Sequence, residues 1–166
     1  TVAFNYGVEL FQKGQMQDAY DAFKRVDKYP MDPQMVALSR YWMADILYRK
    51  NELSTAINMY REFINSPASN SLPEKVDAYY NIGYAYLDQG RRDEAIQSFR
   101  TYLQLNPDKA NKVVDATFRV ADAYYVNKQN LQAIQYYQQA YNLNSPLNDK
   151  ALFYLAKAQG FNGQLP

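Results

Sequence analysis

The sequence predicts an all-α protein, a tandem array of antiparallel helical hairpins, and three observations predict it. The first is a spacing. In NIGYAYLDQGRRDEAIQSF, residues 81–99, Gly83 precedes Ala95 by twelve positions and Ala95 precedes Phe99 by four. The same arrangement recurs at Gly7, Ala19 and Phe23, at Ala44, Ala56 and Tyr60, and at Ala121, Ala133 and Tyr137. The central alanines stand 37, 39 and 38 residues apart. The second is helical periodicity on both sides of each turn. Tyr79, Ile82, Gly83 and Tyr86 share one face at about 100° per residue, and Ala95, Ile96, Phe99, Tyr102 and Leu103 share another. The third is the turn itself. Gly14, Asn51, Gly90 and Lys128 fall at equivalent positions, where glycine or asparagine suits a left-handed helix end. Lysine departs from that preference.

Taken in order, the elements are four hairpins and half of a fifth, with approximate repeats 1–32, 33–71, 72–107, 108–145 and 146–166. The first hairpin begins directly in its first helix, without a polar cap. The later starts are marked by Asp32-Pro33, by Ser71 with Glu74 as a capping box, and by Asn106-Pro107 with proline in the first turn. The small residues have a steric reason. Where two helices cross closely, a large side chain would force the backbones apart, so Gly or Ala stands at the crossing and aromatics fill the grooves beside it. Phe23, Tyr60, Phe99 and Tyr137 are therefore expected in the core. A lone hairpin cannot bury such a face, and stacked neighbours supply the missing surface. The last segment, ALFYLAKAQGFNGQLP, repeats the first-helix pattern with Leu152, Leu155 and Ala156 and reaches a turn at Gly163. The next alanine would fall at position 168, so the chain is expected to be a piece of a longer array. Exposed apolar faces at its ends would then favour self-association.

Composition excludes several chemistries. The 166 residues contain neither His nor Cys, which rules out Ser-His-Asp and Cys-His nucleophiles, Cys/His zinc sites, redox CxxC pairs and disulfides within the segment. No phosphate-cradling GxxxxGK[ST] or GxGxxG is present, and no two carboxylates are pinned across a cleft. The reading is of a non-enzyme without cofactor or metal. Eighteen basic against seventeen acidic residues give no bulk electrostatic reason to expect nucleic acid or an anionic membrane. No apolar run approaches the roughly 18 residues of a membrane span, so direct membrane insertion is not expected, and the segment reads as soluble.

With spacing and turns in hand, the chain resembles the tetratricopeptide repeat family. The third copy carries Tyr79, Ile82, Gly83, Tyr86, Ala95, Phe99 and Pro107 in that family's order, while Arg40 and Thr117 stand where the family prefers a large aromatic. The resemblance implies a right-handed superhelical solenoid acting as a protein-interaction scaffold. The long connector NSPASNSLPEK resembles longer-turn repeats of bacterial cell-envelope proteins, which places the periplasm or envelope ahead of the cytoplasm.

In such a solenoid, first-helix residues that do not face their partner helix line a concave surface. In the third copy these are Tyr80, Tyr84 and Leu87, with Asp88 one step further round. The equivalents are Phe4, Val8 and Phe11 in the first copy, Tyr41, Asp45, Tyr48 and Arg49 in the second, and Phe118, Asp122 and Tyr125 in the fourth. A peptide or partner protein is therefore expected at Tyr41, Asp45, Tyr48, Arg49, Tyr80, Tyr84, Asp88, Phe118, Asp122 and Tyr125, where tyrosines offer rigid contact area with a polar tip. The Lys and Asn clamp by which some family members hold chaperone tails is not matched. Two alternatives accompany this reading. In one, Tyr41, Trp42, Tyr48 and Tyr84 stack sugar rings; in the other, the tyrosines pack between successive first helices and the repeats are spacers.

Overall fold

The computed structural model describes residues 2–28, 32–161 and 163. Among them every regular element is helical. The order is α1 (Val2–Gln12), α2 (Met16–Lys28), α3 (Pro33–Arg49), α4 (Leu53–Asn65), a 3₁₀ turn (Pro67–Ser71), α5 (Glu74–Asp88), α6 (Arg92–Gln104), α7 (Ala110–Val126), α8 (Asn130–Asn142) and α9 (Asn148–Phe161). The chain forms two compact units, residues 1–89 and 90–166, which divide at the turn between α5 and α6.

In the first unit α1 packs on α2, α2 on α3, α3 on α4 and α4 on α5. Gly7 shows why the crossing position must be small. A Cβ built there would lie 2.8 Å from Cε1 of the Phe23 ring. Phe23 itself is fully buried, in a cluster with Leu10, Ala19, Ala22, Met43 and Ile46. In the second unit α6 packs on α7, α7 on α8 and α8 on α9, the last three helices sharing a core of Phe118, Ala121, Ala133, Tyr137, Ala140, Ala151, Leu155 and Ala158. The expected core aromatics, Phe23, Tyr60, Phe99 and Tyr137, are all buried.

The turns obey one rule. Gly14, Asn51, Gly90 and Lys128 have φ of 77°, 63°, 72° and 59°, so the lysine adopts the same left-handed conformation as the glycines. Three of these turns close with identical backbone bonds. Gly14 donates to Phe11 and Gln15 to Leu10, Asn51 to Tyr48 and Glu52 to Leu47, Lys128 to Tyr125 and Gln129 to Tyr124. This is the paired bonding that satisfies the last helical carbonyls, and it forces Lys128 to accept backbone strain.

The helix starts follow expectation once and depart from it twice. Asp32 caps α3, its side chain accepting from Gln34 N at 2.9 Å, with Pro33 in the first turn. Ser71 does not cap α5. It ends the 3₁₀ turn, and its hydroxyl accepts from Gln34 Nε2 at 3.1 Å, while Pro73 precedes the helix. The long connector is thus folded against α3, pinned by the buried Ser69 hydroxyl, which bonds to the Ile64 and Ser66 carbonyls. Asn106-Pro107 does not open α7 either. Asn106 is left-handed, φ 50°, and follows α6, and α7 begins only at Ala110.

Two substitutions of the expected aromatic are accommodated locally. Arg40 reaches back to Asp27 in α2, with Nε 2.9 Å and a terminal nitrogen 2.8 Å from the carboxylate. Thr117 is buried and returns its hydroxyl to Val113 O at 2.7 Å, a bond that spares a buried hydroxyl its desolvation cost. In α9 the buried stripe is Ala151, Leu155 and Ala158, whereas Leu152 is half-exposed and Ala156 exposed.

Candidate functional site

The first unit brings together the expected residues of α3 and α5. Tyr41, Asp45, Tyr48 and Arg49 recur at helical spacing on α3, as do Tyr80, Tyr84 and Asp88 on α5. Their environments divide them into two groups. Tyr41 is only 8% exposed. Its ring lies 5.4 Å from Trp42, 5.7 Å from Tyr60 and 5.4 Å from Phe63, and its hydroxyl faces Asn81 Nδ2 at 3.4 Å. Burial, followed by the charges of Asp77 and Asp45, pushes its phenol strongly up. The expectation that Tyr41 offers a contact surface is therefore corrected. Its position faces the seam where the second helix and the next first helix meet, and the ring is consumed by that seam.

Asp45 is likewise committed to the fold. One carboxylate oxygen accepts from Arg49 Nε at 2.8 Å, and the other stands 3.4 Å from the hydroxyl of the buried Tyr60. Asn81 Nδ2 also donates to Tyr60 Oη, at 3.1 Å. Arg49 completes its surroundings over the Phe11 ring, 5.0 Å from the centroid.

Tyr48, Tyr80 and Tyr84 form the other group, half-buried, with Asp88 exposed beside them. Tyr48 donates its hydroxyl to Asp88 Oδ2 at 2.8 Å, joining the ends of α3 and α5. Burial, then the bond to Asp88 and its charge, push the Tyr48 phenol up to about 12, with Tyr84 and Asp45 adding to the effect. Tyr80 and Tyr84 meet edge to face, with centroids 5.2 Å apart.

In the second unit Phe118 is 2% exposed. It packs 5.5 Å from Tyr137 and 6.1 Å from Tyr154, with Lys150 Nζ 4.8 Å from its centroid. The expectation of a surface ring at Phe118 is corrected for the same steric reason as at Tyr41. Asp122 accepts from the buried Tyr137 hydroxyl at 2.6 Å. Burial raises its carboxyl, opposed by that hydrogen bond and by Lys150 and Arg119. Tyr125 is half-buried, 6.1 Å from Tyr154 and 6.4 Å from Tyr137.

A rule connects the two units. The first-helix positions 8, 45, 84 and 122 lie fifteen residues before 23, 60, 99 and 137. Where the later residue is tyrosine the earlier is aspartate, and where the later is phenylalanine the earlier is Val8 or Tyr84. The carboxylates are thus partners of buried phenols, a role the sequence reading missed although the pairing was visible in it. Tyr154, stacked on Tyr137 at 5.7 Å and 16°, was also missed. Phe153 was missed too. It occupies in α9 the position of Phe118 in α7, three before the small residue, and is 58% exposed. Continuing that stripe into the fifth repeat would have found it.

Among the described residues no cluster of three or more potential metal ligands occurs, and no helix is long and apolar enough to cross a membrane. Comparison with known proteins agrees with the hairpin geometry. Residues 76–109 match the tetratricopeptide repeat model. The structure of MamA protein superposes with a TM-score of 0.77 at 21% identity, covering 99% of this chain and 82% of that one. Tetratricopeptide-like repeats of a putative kinesin light chain from Podosopora anserina give 0.71 at 15% identity, covering 98% and 86%. A Rap protein complexed with Competence and Sporulation Factor gives 0.61 at 17% identity, covering 98% of this chain and 48% of that one. No curated protein matches by sequence. Residues 76–109 thus carry one tetratricopeptide repeat, and the likeness of the rest of the chain to these structures is one of fold.

Proposed function

We propose that the chain is a protein-interaction scaffold that holds an extended peptide or a helix of a partner protein on the half-buried tyrosines of its first helices. Tyr48, Tyr80 and Tyr84 form one such surface within the first unit, and Tyr125 belongs to a separate one within the second. One observation carries this reading. The fold buries the rings it needs, Tyr41 and Phe118, yet leaves Tyr48, Tyr80, Tyr84 and Tyr125 partly open at neighbouring positions of the same helices. Large aromatics with polar tips at such positions supply rigid contact area at little entropic cost. A Rap structure of the same fold is described in complex with Competence and Sporulation Factor, which supports ligand binding by an array of this kind. Membership of a larger bacterial cell-envelope protein remains part of the proposal, on the likeness of its long connector. The sugar-stacking alternative loses two platforms, because Tyr41 is buried and Trp42 packs 4.9 Å from Phe11.

The test is a display selection of random peptides on the 166-residue chain, with the enriched peptides titrated calorimetrically. A triple variant, Tyr48→Ala, Tyr84→Ala and Tyr125→Ala, shown by circular dichroism to keep its helicity, is titrated beside it. Loss of binding of tenfold or more supports the site. Undiminished binding places the ligand elsewhere, and failure to enrich any peptide favours a spacer.

A further inference from the structure

The last turns of α3 and α5 carry a charge arrangement that the fold does not call for. Asp88 is exposed in the last turn of α5, a turn that contains no basic residue. The C-terminal end of a helix is the negative end of its dipole, so a carboxylate there is electrostatically misplaced. At the equivalent position of α3 stands Arg49, whose charge is engaged by Asp45 at 2.8 Å and by the Phe11 ring. Among the described residues no cation pairs with Asp88. Its described partner is the neutral hydroxyl of Tyr48, which fixes one carboxylate oxygen at 2.8 Å. Beside that carboxylate lie the half-buried Tyr48 and Tyr84, and Tyr80 sets its ring edge to face with Tyr84. Ring faces, a carboxylate and a helix C-terminus all attract positive charge. An acidic ligand would meet repulsion from each of them.

We infer that Tyr48, Tyr80, Tyr84 and Asp88 form a cation subsite that takes a lysine or arginine side chain of the bound peptide, an inference that rests on the peptide-binding reading above. The basic side chain lays its stem along the tyrosine rings and brings its charge to Asp88. Tyr48 holds the carboxylate in place, so the subsite is assembled before the ligand arrives.

The experiment uses peptides enriched by display on the whole chain. The tightest arginine-bearing sequence is synthesised a second time with citrulline, which keeps the shape and removes the charge, and both are titrated into wild type and Asp88→Asn. Asparagine still accepts the Tyr48 hydrogen bond, so the fold is preserved, and an unchanged melting temperature verifies it. The expected result is a basic residue in the enriched pool and a weakening of at least tenfold from arginine to citrulline on wild type. On Asp88→Asn that difference falls below about threefold. Tyr84→Leu is the second variant and lowers affinity for the arginine peptide more than for the citrulline one. Equal binding of both peptides to wild type, or an unchanged difference on Asp88→Asn, overturns the cation subsite. If binding is still lost in the triple tyrosine variant, the aromatic surface survives that result. Failure to enrich any peptide overturns both.

Discussion

Replacing Tyr137 by phenylalanine and Asp122 by valine, singly and together, tests the pairing rule within the hairpins. Tyr137 is fully buried, and its hydroxyl donates to Asp122 at 2.6 Å. A hydrogen bond to a charged group contributes about 1.5–3 kcal/mol, and stranding one buried partner costs about 1–3 kcal/mol. Tyr137→Phe leaves a half-buried carboxylate without its phenol, and Asp122→Val leaves a buried hydroxyl without its acceptor. Each single change should therefore cost about 1–3 kcal/mol. The double variant recreates the combination found natively as Val8 and Phe23 and removes both polar partners together. Its destabilisation should fall short of the sum of the singles by about 1–2 kcal/mol, well above the few tenths expected of independent sites. The assay is urea unfolding followed by circular dichroism, with equal denaturant slopes required across the four proteins. Additivity within about 0.5 kcal/mol would refute the reasoning, because the pair would then contribute nothing as a pair.

The remaining predictions follow from single contacts. Gly7→Ala places a methyl 2.8 Å from the Phe23 ring and should destabilise by about 1–3 kcal/mol, read as a lower urea midpoint. Lys128→Gly relieves a left-handed lysine, φ 59°, and should stabilise by about 0.5–1 kcal/mol after the entropy of glycine is counted. An unchanged melting temperature would show the turn to be unstrained. Ser39 is fully buried with its hydroxyl unpartnered, where equivalent positions carry Ala78, Ala116 and Ala151. Ser39→Ala should raise stability by about 1 kcal/mol, and a loss would reveal an unseen acceptor. The phenols of Tyr41, Tyr60 and Tyr137 are raised well above the ordinary range, chiefly by burial, and that of Tyr48 to about 12. The folded state thus holds protons that the unfolded chain releases near pH 10, so stability is complete below pH 10 and declines as pH rises toward 12 and beyond. Alkaline melting curves that stay flat from pH 9 to 12 would contradict this.

The hairpin architecture was legible because it rests on local and repetitive signals. Gly7, Ala44 and Ala121 had to be small, and Gly14, Asn51 and Gly90 announced their turns. Lys128 shows that closing the last carbonyls outweighs residue preference at an equivalent position. The helix starts at Ser71 and Asn106 misled, because residues suited to capping are also suited to the 3₁₀ turn and left-handed stop that they form. The site was legible only as a set of positions. Periodicity placed Tyr41 and Tyr48 alike on the presumed groove, but it cannot register that Tyr60 and Phe63 of α4 close over Tyr41 and leave Tyr48 half-buried. The carboxylates were misjudged for a related reason. Asp45 and Asp122 looked like groove charges until the buried phenols of Tyr60 and Tyr137 were seen to require them, and only the fifteen-residue correspondence carried that information in the sequence.

The central claim is that the half-open tyrosines of the first helices meet the partner while the buried ones hold the fold. Chemical-shift mapping of the tyrosine rings with a display-selected peptide tests it most directly. Saturable shifts at Tyr48, Tyr80, Tyr84 and Tyr125, with Tyr60 and Tyr102 unmoved, are predicted. Shifts confined to Tyr141, exposed on α8, with the first-helix rings silent, would contradict the account.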